Sequence, residues 1–324
     1  LKVCEKYTAQ EAPSTGGIFF RSNVSYSTLY HCTIGYSVVV GVRIIVTKNQ
    51  DFSVRFWGVR GSIACSGPET QRYGGNTSCI EMWCGDRLLV FDAGTGARPL
   101  GLSLSEKTTA PLKFDHFFSP THWDHIAGLP FFCPAYGDGN EIKVWAGHLL
   151  PDSNIEAVLR QAMTEPLFPV PLDVFHADIS FHDFPGGDVL ELGDGITVRT
   201  AVLNHPNGAT GYRVEFGGRS ACYVTDTEHR PGQPDEDVLR LIENADLVIY
   251  DSTYSDDEFA AYEGWGHSTW QEGVRLAKMA GVKKLAIFHH DPGRSDDALD
   301  AIGKEAASLF EGAFIAREGV TLSP

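Results

Sequence analysis

The sequence has little positive charge and no long apolar run. Its 324 residues include 26 Lys and Arg against 42 Asp and Glu, a formal net charge of −16. No stretch reaches the roughly 18 uninterrupted apolar residues of a membrane helix, and the longest candidate, Ile34 to Val46, contains Arg43. Nucleic-acid affinity comes largely from Lys and Arg at phosphates. The sequence therefore predicts no membrane span, and it favours a small-molecule substrate over a large nucleic acid.

Cysteine is sparse and irregularly spaced. The chain has 7 cysteines, an odd number, so we expect no disulfide framework and a reducing, cytoplasmic location. Cys65, Cys79 and Cys84 suggest a zinc knuckle at first sight. However, Cys79 and Cys84 flank one strand-like run, and residues five apart on a strand point to opposite faces. We interpret these cysteines as buried structural thiols.

Two common catalytic signatures are missing. Gly94 and Gly96 follow a strand-like run, but Pro99 stands where the third glycine of a dinucleotide-binding loop would fall. The sequence also has no Gly-x-Ser-x-Gly elbow. The chain is therefore not expected to be a dinucleotide-dependent enzyme or a serine hydrolase.

The composition changes near residue 51. The first 50 residues carry a net charge of +3, whereas the remainder carries −19. The first segment is rich in Ser, Thr and Tyr, lacks helical periodicity and does not begin with Met. We expect residues 1–50 to be an N-terminal extension that is poorly ordered or not native, and residues 51–324 to form the folded domain.

Beyond residue 51, short apolar runs alternate with turns rich in Gly, Pro, Asn and Asp, which is typical of strands. The runs predict these strands: Phe52–Trp57, Cys79–Trp83, Leu88–Phe91, Phe114–Phe118, Ile142–Trp145, Ile179–Phe181, Ile196–Leu203, Tyr212–Phe216, Ala221–Val224, Leu247–Tyr250 and Lys284–Phe288. Helical patterns lie between some of them. The sequence therefore predicts an α/β fold of two sheets between layers of helices.

Two of the helices have clear start signals. Ser268-Thr269-Trp270-Gln271 matches a capping box, and Ser295 is predicted to cap a second helix. Apolar residues at helical spacing predict the buried face of each. These residues are Trp270, Val274 and Ala277 in the first helix, and Leu299, Ile302, Ala306 and Leu309 in the second.

The strongest chemical signal is the segment Thr121-His122-Trp123-Asp124-His125. It follows the run Phe114–Phe118, so it is predicted to lie on a loop leaving a strand. Imidazole and carboxylate ligands together suit zinc, iron or manganese. A tight loop can direct His122 toward one ion, and Asp124 and His125 toward a second.

Further His and Asp residues end other apolar runs. They are His205, Asp226, and either His289 or His290, and His267 lies in a turn that opens the first capped helix. One such residue would be an ordinary loop residue. Several together indicate a shared site, because sheets bring the ends of their strands onto common edges.

These motifs together resemble the metallo-β-lactamase-fold hydrolases, from about Phe52 to the C-terminus. The resemblance includes Asp92-Ala93-Gly94-Thr95-Gly96 after a strand, the His-x-Asp-His loop and the later His, Asp and His residues. The Gly-His-Ser-Thr turn at His267 is similar to that of the phosphodiesterase branch that also contains ribonuclease Z. The resemblance implies a four-layer αββα sandwich over residues 51–324, with a metal site on loops at one edge of the two sheets.

The resemblance also implies a ligand set for two metal ions, zinc in the first instance, with manganese or iron as alternatives. His122 and His205 would bind the first ion, Asp226 would bridge both ions, and the second would be bound by Asp124, His125 and His289. A single departure concerns Pro120, which stands where the family has the first histidine of His-x-His-x-Asp-His. The first site is therefore expected to be weaker or empty, and His116 is too far back to replace the missing ligand.

Catalytic roles are implied for two residues. Asp124 would orient the hydroxide that the metal makes available at neutral pH, and His267 would act as general acid on the leaving group. Asp92 would be a structural residue beneath the loop. The expected reaction is hydrolysis of a phosphodiester, with a cyclic nucleotide or another small diester as substrate.

Other functions stay open at this point. The same fold could cleave a lactone, a thioester or a β-lactam. A tRNA-processing ribonuclease would need a basic, Gly-rich docking arm, which is not found between Lys143 and His205. Pro120 also leaves a degenerate binding protein as an alternative. The oligomeric state is open, with a homodimer as one option.

Overall fold

Two seven-stranded sheets face each other in the computed structural model, which describes residues 51–108 and 110–324. The predicted extension at residues 1–50 lies outside the described residues. The first sheet has the strand order β14-β1-β2-β3-β4-β5-β6. Its strands are β1 (Phe52–Gly58), β2 (Cys79–Cys84), β3 (Arg87–Phe91), β4 (Lys113–Phe118), β5 (Glu141–Ala146), β6 (Asp178–Asp183) and β14 (Thr321–Leu322).

The second sheet repeats this arrangement in the other half of the domain, with the order β13-β12-β11-β10-β9-β8-β7. Its strands are β7 (Val189–Gly193), β8 (Ile196–Leu203), β9 (Ala209–Phe216), β10 (Arg219–Val224), β11 (Leu247–Asp251), β12 (Lys284–Phe288) and β13 (Ala313–Ile315). Strands β3 to β6 are parallel to one another, and so are β10 to β13. Parallel strands end at the same edge, so each sheet presents several carboxyl ends together.

Seven α-helices lie among the described residues. They are α1 (Ala97–Lys107), α2 (Trp123–Ile126), α3 (Ile155–Ala162), α4 (Glu236–Ile242), α5 (Asp256–Phe259), α6 (Trp270–Met279) and α7 (Asp296–Leu309). No helix in this part of the chain is long and apolar enough to cross a membrane.

Three apolar clusters hold the layers together. The central one lies between the sheets and includes Phe56, Phe91 and Tyr223. A second packs α4, α6 and α7 on the outer face of the second sheet, and a third packs α1 and α3 on the outer face of the first. The predicted four-layer αββα sandwich is confirmed.

The predicted strands are all present, most of them one or two residues longer than expected. Three further strands were not predicted: β7, β13 and β14. Two of these have only three and two residues, and β7 is an edge strand with no fully buried residue. Such strands lack the apolar run by which the others were recognised. The two cysteines of β2 belong to different clusters on opposite faces of the sheet, as predicted.

Two details of the helix predictions are wrong. The N-cap of α6 is Thr269, whose side chain accepts a hydrogen bond from Glu272 N, so the predicted capping box at Ser268 is displaced by one residue. The Ser268 hydroxyl instead bonds His229 and Tyr250. In α7, Ser295 is the cap as predicted, but Leu309 is 47% exposed, because the helix ends there and leaves its last turn beyond the core.

Candidate metal centre

The candidate site lies where strands of both sheets end. Asp92 follows β3, the His122–His125 loop follows β4, Asp226 follows β10 and His289 follows β12. Asp92, Asp226 and His289 adopt left-handed backbone conformations, with φ of 59°, 56° and 60°. Non-glycine residues seldom adopt such values, and they occur often at functional sites. These bends turn the chain sharply at the strand ends.

Four of the predicted ligands form one compact, buried group: Asp124, His125, Asp226 and His289. His125 Nε2 lies 2.9 Å from Asp226 Oδ2 and 3.2 Å from Asp124 Oδ2. His289 Nε2 lies 3.2 Å from Asp124 Oδ2 and 3.4 Å from Asp226 Oδ2. Two imidazole nitrogens and two carboxylate oxygens therefore surround one point.

The other predicted ligands form a second group around the same aspartate: His122, His205 and Asp226. His205 Nε2 lies 3.3 Å from Asp226 Oδ1 and 3.0 Å from His122 Nδ1. Asp226 thus presents one carboxylate oxygen to each group. This second group has three ligand residues, since Pro120 offers no donor.

The donor set of this site fits a divalent cation. His125 Nε2 is buried and makes no hydrogen bond within the part of the chain that the structure describes, although two carboxylates flank it. Burial alone would raise the pKa of Asp124 and Asp226, but the rings of His125 and His289 outweigh burial and hold both values well below the usual range. Ionised carboxylates and imidazole nitrogens are donors that suit zinc, manganese or iron.

Two of the predicted ligand histidines, His205 and His289, are anchored through their Nδ1 atoms. His205 Nδ1 donates to Gly266 O at 2.7 Å, and His289 Nδ1 lies 3.1 Å from Thr253 Oγ1. Such partners fix the tautomer and the orientation of metal-binding histidines. The anchors leave Nε2 of each ring for the site.

Asp92 anchors His125 in the same way. Its Oδ2 accepts from His125 Nδ1 at 2.8 Å and from the hydroxyls of Ser119 and Tyr223. Its Oδ1 accepts from Ser119 N. Asp92 therefore lies behind the His125 ring and outside both ligand groups.

His267 lies beside the two groups and is held by Asp251. The distance from His267 Nδ1 to Asp251 Oδ2 is 2.9 Å. Burial would lower the pKa of His267, but the Asp251 carboxylate outweighs burial and raises the pKa to about 9. Asp251, His267 and His289 are close enough to form a third group of potential ligands. Asp251 already accepts from Thr253 N and Oγ1, so a positioning role fits it better than metal binding.

The structure distinguishes between two neighbouring histidines. His289 belongs to the buried group, whereas His290 Nε2 donates to Ala316 O at 2.9 Å and belongs to neither group. His116 is buried on β4, with Nε2 3.2 Å from Asp92 O, and it also lies outside the groups.

Several contributing residues were missed in the sequence. They are Ser62, Glu228 and Asp251. Asp251 is the last residue of an apolar strand, so the rule that found Asp226 could have found it. Glu228 accepts from Gly264 N and Gly266 N at 2.8 Å each, and Ser62 N donates to Asp124 Oδ2 at 2.8 Å. No local sequence pattern predicts these loop contacts.

A cavity of about 480 Å³ opens over the two groups. It is lined by His122, Asp124, His205, Asp226 and His267, among others. Two further lining residues are large and solvent-exposed: Trp123 at 58% and Trp265 at 63%. The polar floor is thus bordered by two indole rings.

Known proteins resemble this chain in sequence and in fold. The family model of the Beta-lactamase superfamily domain matches residues 87–290. The ribonuclease Z of Haloarcula marismortui is 24% identical over 313 residues, which cover 82% of this chain and 94% of that protein. Among solved structures, the metallo-beta-lactamase fold protein YhfI from Bacillus subtilis has a TM-score of 0.63 at 22% identity, covering 85% of this chain and 100% of its own. A diphosphatase of the PhnP family has a TM-score of 0.63 at 18% identity, with coverages of 84% and 98%.

Proposed function

Because this chain belongs to the beta-lactamase superfamily and is a hydrolase of the phosphodiesterase-like type, we propose that it cleaves a small phosphodiester, such as a cyclic nucleotide. The observation that carries the proposal is the position of Asp226 between two groups of potential ligands. One carboxylate shared by two cation sites is suited to a diester, whose attacking and leaving oxygens both need stabilisation during an in-line displacement.

We assign the ligands as follows. Asp124, His125, Asp226 and His289 would hold one cation, and His122, His205 and Asp226 would hold the other. When bound, such cations lower the pKa of a water molecule from about 15.7 toward roughly 7 and polarise the phosphoryl oxygens. Zinc is the proposed cation, and the same ligands accept manganese or iron.

Asp124 and His267 are the proposed catalytic residues. Asp124 lines the cavity and lies within reach of His125 and His289, so its carboxylate can orient the attacking water. The Nδ1 atom of His267 is occupied by Asp251 at 2.9 Å, which leaves Nε2 to give a proton to the leaving oxygen. Carboxylate-held histidines are effective general acids, and proton transfer of this kind contributes typically about 10²–10⁴-fold in rate.

The rim of the cavity supports a substrate with a flat aromatic group. Trp123 and Trp265 border the floor where the phosphate would sit, and base–indole stacking contributes about 1–3 kcal/mol per base. A nucleoside diester would place its phosphate on the cations and its base against an indole. The net charge of −16 is tolerated by such a substrate, since the cations supply the local positive charge.

A large RNA substrate is the second candidate, because of the similarity to the ribonuclease Z of Haloarcula marismortui. The elements found between residues 143 and 205 argue against it. This stretch forms the end of β5, helix α3 and strands β6, β7 and β8 of the sandwich, and the described residues there include no separate basic arm. The strongly negative charge also opposes a polyanion.

A substrate panel tests the proposal. The protein reconstituted with zinc or manganese should hydrolyse bis(p-nitrophenyl) phosphate and at least one cyclic nucleotide, and Asp226→Ala and His125→Ala should abolish both activities. Faster cleavage of precursor tRNA than of any small diester would favour the RNA candidate. Turnover of lactones or thioesters alone, with none of any phosphodiester, would refute the proposal.

A further inference from the structure

The turn at residues 264–266 contacts both the rim of the cavity and one of the predicted cation ligands. Its central residue, Trp265, lines the cavity and is 63% exposed. Its last residue, Gly266, accepts a hydrogen bond at its carbonyl oxygen from His205 Nδ1, at 2.7 Å. One short segment therefore presents an indole ring to the cavity and fixes the imidazole ring of a predicted ligand.

The backbone of this turn packs directly against the ligand. Gly264 and Gly266 have φ values of 88° and 86°, which favour glycine over other residues. A Cβ atom at Gly266 would lie 2.3 Å from His205 Nδ1, so the turn has no room for a side chain there. Because glycine restricts its own backbone little, the turn needs an outside partner to hold one conformation.

The side chain of Glu228 provides that partner. Its Oε2 atom accepts hydrogen bonds from Gly264 N and from Gly266 N, at 2.8 Å each. Hydrogen bonds from backbone amides to a carboxylate are among the stronger ones in proteins. One half-buried carboxylate thus binds the turn on both sides of Trp265.

The backbone of Glu228 supports His205 from the other side. Glu228 N donates to Asn204 O at 2.8 Å, and Asn204 Nδ2 donates to Glu228 O at 2.8 Å. Asn204 directly precedes His205, and Glu228 lies two residues after Asp226. His205 is therefore linked to Glu228 twice, through its neighbour in the chain and through Gly266.

We propose that Glu228 is a positioning residue that joins cation binding to recognition of an aromatic group on the substrate. Through Gly266 it keeps His205 Nε2 directed at Asp226, 3.3 Å away. Through both glycines it keeps Trp265 at the rim of the cavity. The affinity of one cation site and the affinity for a nucleotide base therefore depend on the same carboxylate. This inference rests on the proposed function, but its first test measures zinc affinity and does not depend on turnover.

The first test is zinc binding by Glu228→Ala, measured for both sites by competition with a chromogenic chelator. Loss of the partners behind a histidine ligand typically lowers metal affinity about 10–100-fold, so the site that contains His205 should weaken at least about tenfold. His205→Ala identifies which of the two affinities belongs to this site. The site that contains His125 should change less, because its histidine rings are anchored by Asp92 and Thr253 instead.

Two further variants separate positioning from a merely structural role. Glu228→Gln keeps a side-chain oxygen that can accept from both glycine amides, so it should retain most of the zinc affinity. Glu263→Ala is the matched control, because it removes an exposed glutamate directly before the turn. Thermal unfolding of the metal-free variants confirms that each is folded.

The second test measures KM with both sites saturated by zinc. Glu228→Ala and Trp265→Ala should each raise KM for a cyclic nucleotide at least about fivefold. The double variant should be no worse than Trp265→Ala alone, because the carboxylate acts on the base through the indole. KM for glycerophosphoethanolamine, which has no aromatic group, should stay unchanged, and Trp265→Ala should bind zinc with wild-type affinity.

The outcomes of these tests are distinct. Wild-type zinc affinity in Glu228→Ala, or an equal loss in Glu228→Gln, would overturn the inference, and so would independent KM effects of Glu228→Ala and Trp265→Ala in the double variant. Wild-type protein that binds zinc but cleaves no diester would refute the proposed function, whereas the zinc affinities would still decide whether Glu228 positions His205.

Discussion

The Nδ1 atom of His125 lies 2.8 Å from Asp92 Oδ2, although the two residues are 33 positions apart. Asp92 has no direct place in either ligand group, yet it fixes the ring whose Nε2 lies between two carboxylates. It is itself fixed by Ser119 and Tyr223. The orientation of the central histidine therefore depends on residues that follow β3 and β4 and on Tyr223 of β10.

Replacing Asp92 should weaken cation binding without unfolding the protein. In Asp92→Asn the amide either donates to His125 Nδ1 or accepts more weakly from it, so the ring is free to take the wrong tautomer. Loss of such a partner typically lowers metal affinity about 10–100-fold. Chelator competition should show this loss at the site that contains His125. Unchanged affinity at both sites would mean that Asp92 serves only the fold.

Gly61 leaves room for the His289 ring. A Cβ atom at this position would lie 2.4 Å from His289 Nδ1 and Cε1, a distance that real atoms do not tolerate. Gly61→Ala should therefore displace His289 and lower the affinity of the same site at least about tenfold, as measured by zinc competition. Gly293→Ala is the control, because a Cβ there meets only the Asp291 carboxylate at 3.1 Å. Wild-type zinc affinity in Gly61→Ala would show that the ring can shift without penalty.

Asp251 should act on turnover more than on binding. Asp251 does not line the cavity in which the substrate is proposed to bind, but its carboxylate binds Nδ1 of His267. Asp251→Asn should lower kcat for a diester with a poor leaving group by about 10²-fold or more, with little change in KM. A diester with a p-nitrophenolate leaving group needs less protonation, so it should lose less. Asp257→Asn, at an exposed position of α5, is the control, and equal losses for both substrates would contradict a proton-transfer role for His267.

The two rim tryptophans should contribute to nucleotide affinity. Trp123→Ala and Trp265→Ala are expected to raise KM for a cyclic nucleotide about 5- to 100-fold, which corresponds to roughly 1–3 kcal/mol of stacking. Glycerophosphoethanolamine, a diester without an aromatic group, should be unaffected. Equal effects on both substrates would indicate that the indoles shape the cavity and do not stack on a base.

His116 should make stability depend on pH. Burial lowers the pKa of His116 to about 4, against an ordinary value of 6.5, so between these values the unfolded chain binds a proton that the folded protein does not. The contribution of His116 to the free energy of unfolding is therefore fully present above about pH 6.5. This contribution decreases as the pH falls toward 4, by about 3 kcal/mol in total. His116→Gln keeps a donor for Asp92 O but does not titrate. Urea unfolding of the chelator-treated proteins at pH 7 and pH 5 should show a smaller decrease for the variant, and equal decreases would contradict the assignment.

Much of the fold could be predicted because its strands are short apolar runs with polar ends. The position of Asp226 two residues after the end of β10, or of the loop from His122 to His125 after β4, is visible in the sequence for the same reason. The short strands β13 and β14 were not visible, because their pairing partners, and not their own residues, define them. The displaced cap of α6 shows the limit of local rules. Ser268 is a residue type that commonly caps helices, but its hydroxyl bonds His229 and Tyr250 instead of the helix backbone.

The supporting contacts of the site could not be predicted at all. Glu228 and Gly266 are 38 positions apart, and Asp92 and Tyr223 are 131 apart. Such pairs depend on how two sheets are placed face to face, which no short motif encodes.

The residues around Asp226 come from both halves of the sandwich: His122, Asp124 and His125 from the first sheet, and His205, Asp226 and His289 from the second. A cation at this seam would thus crosslink two layers that are also joined by apolar packing, by two connecting segments and by hydrogen bonds such as the one from Tyr223 to Asp92. Binding to the native state alone adds RT ln(1 + [L]/Kd) to its stability, about 2.7 kcal/mol at a hundredfold excess over Kd. For the proposed metal centre, the supply of metal would therefore set the equilibrium stability of the fold as well as its chemistry.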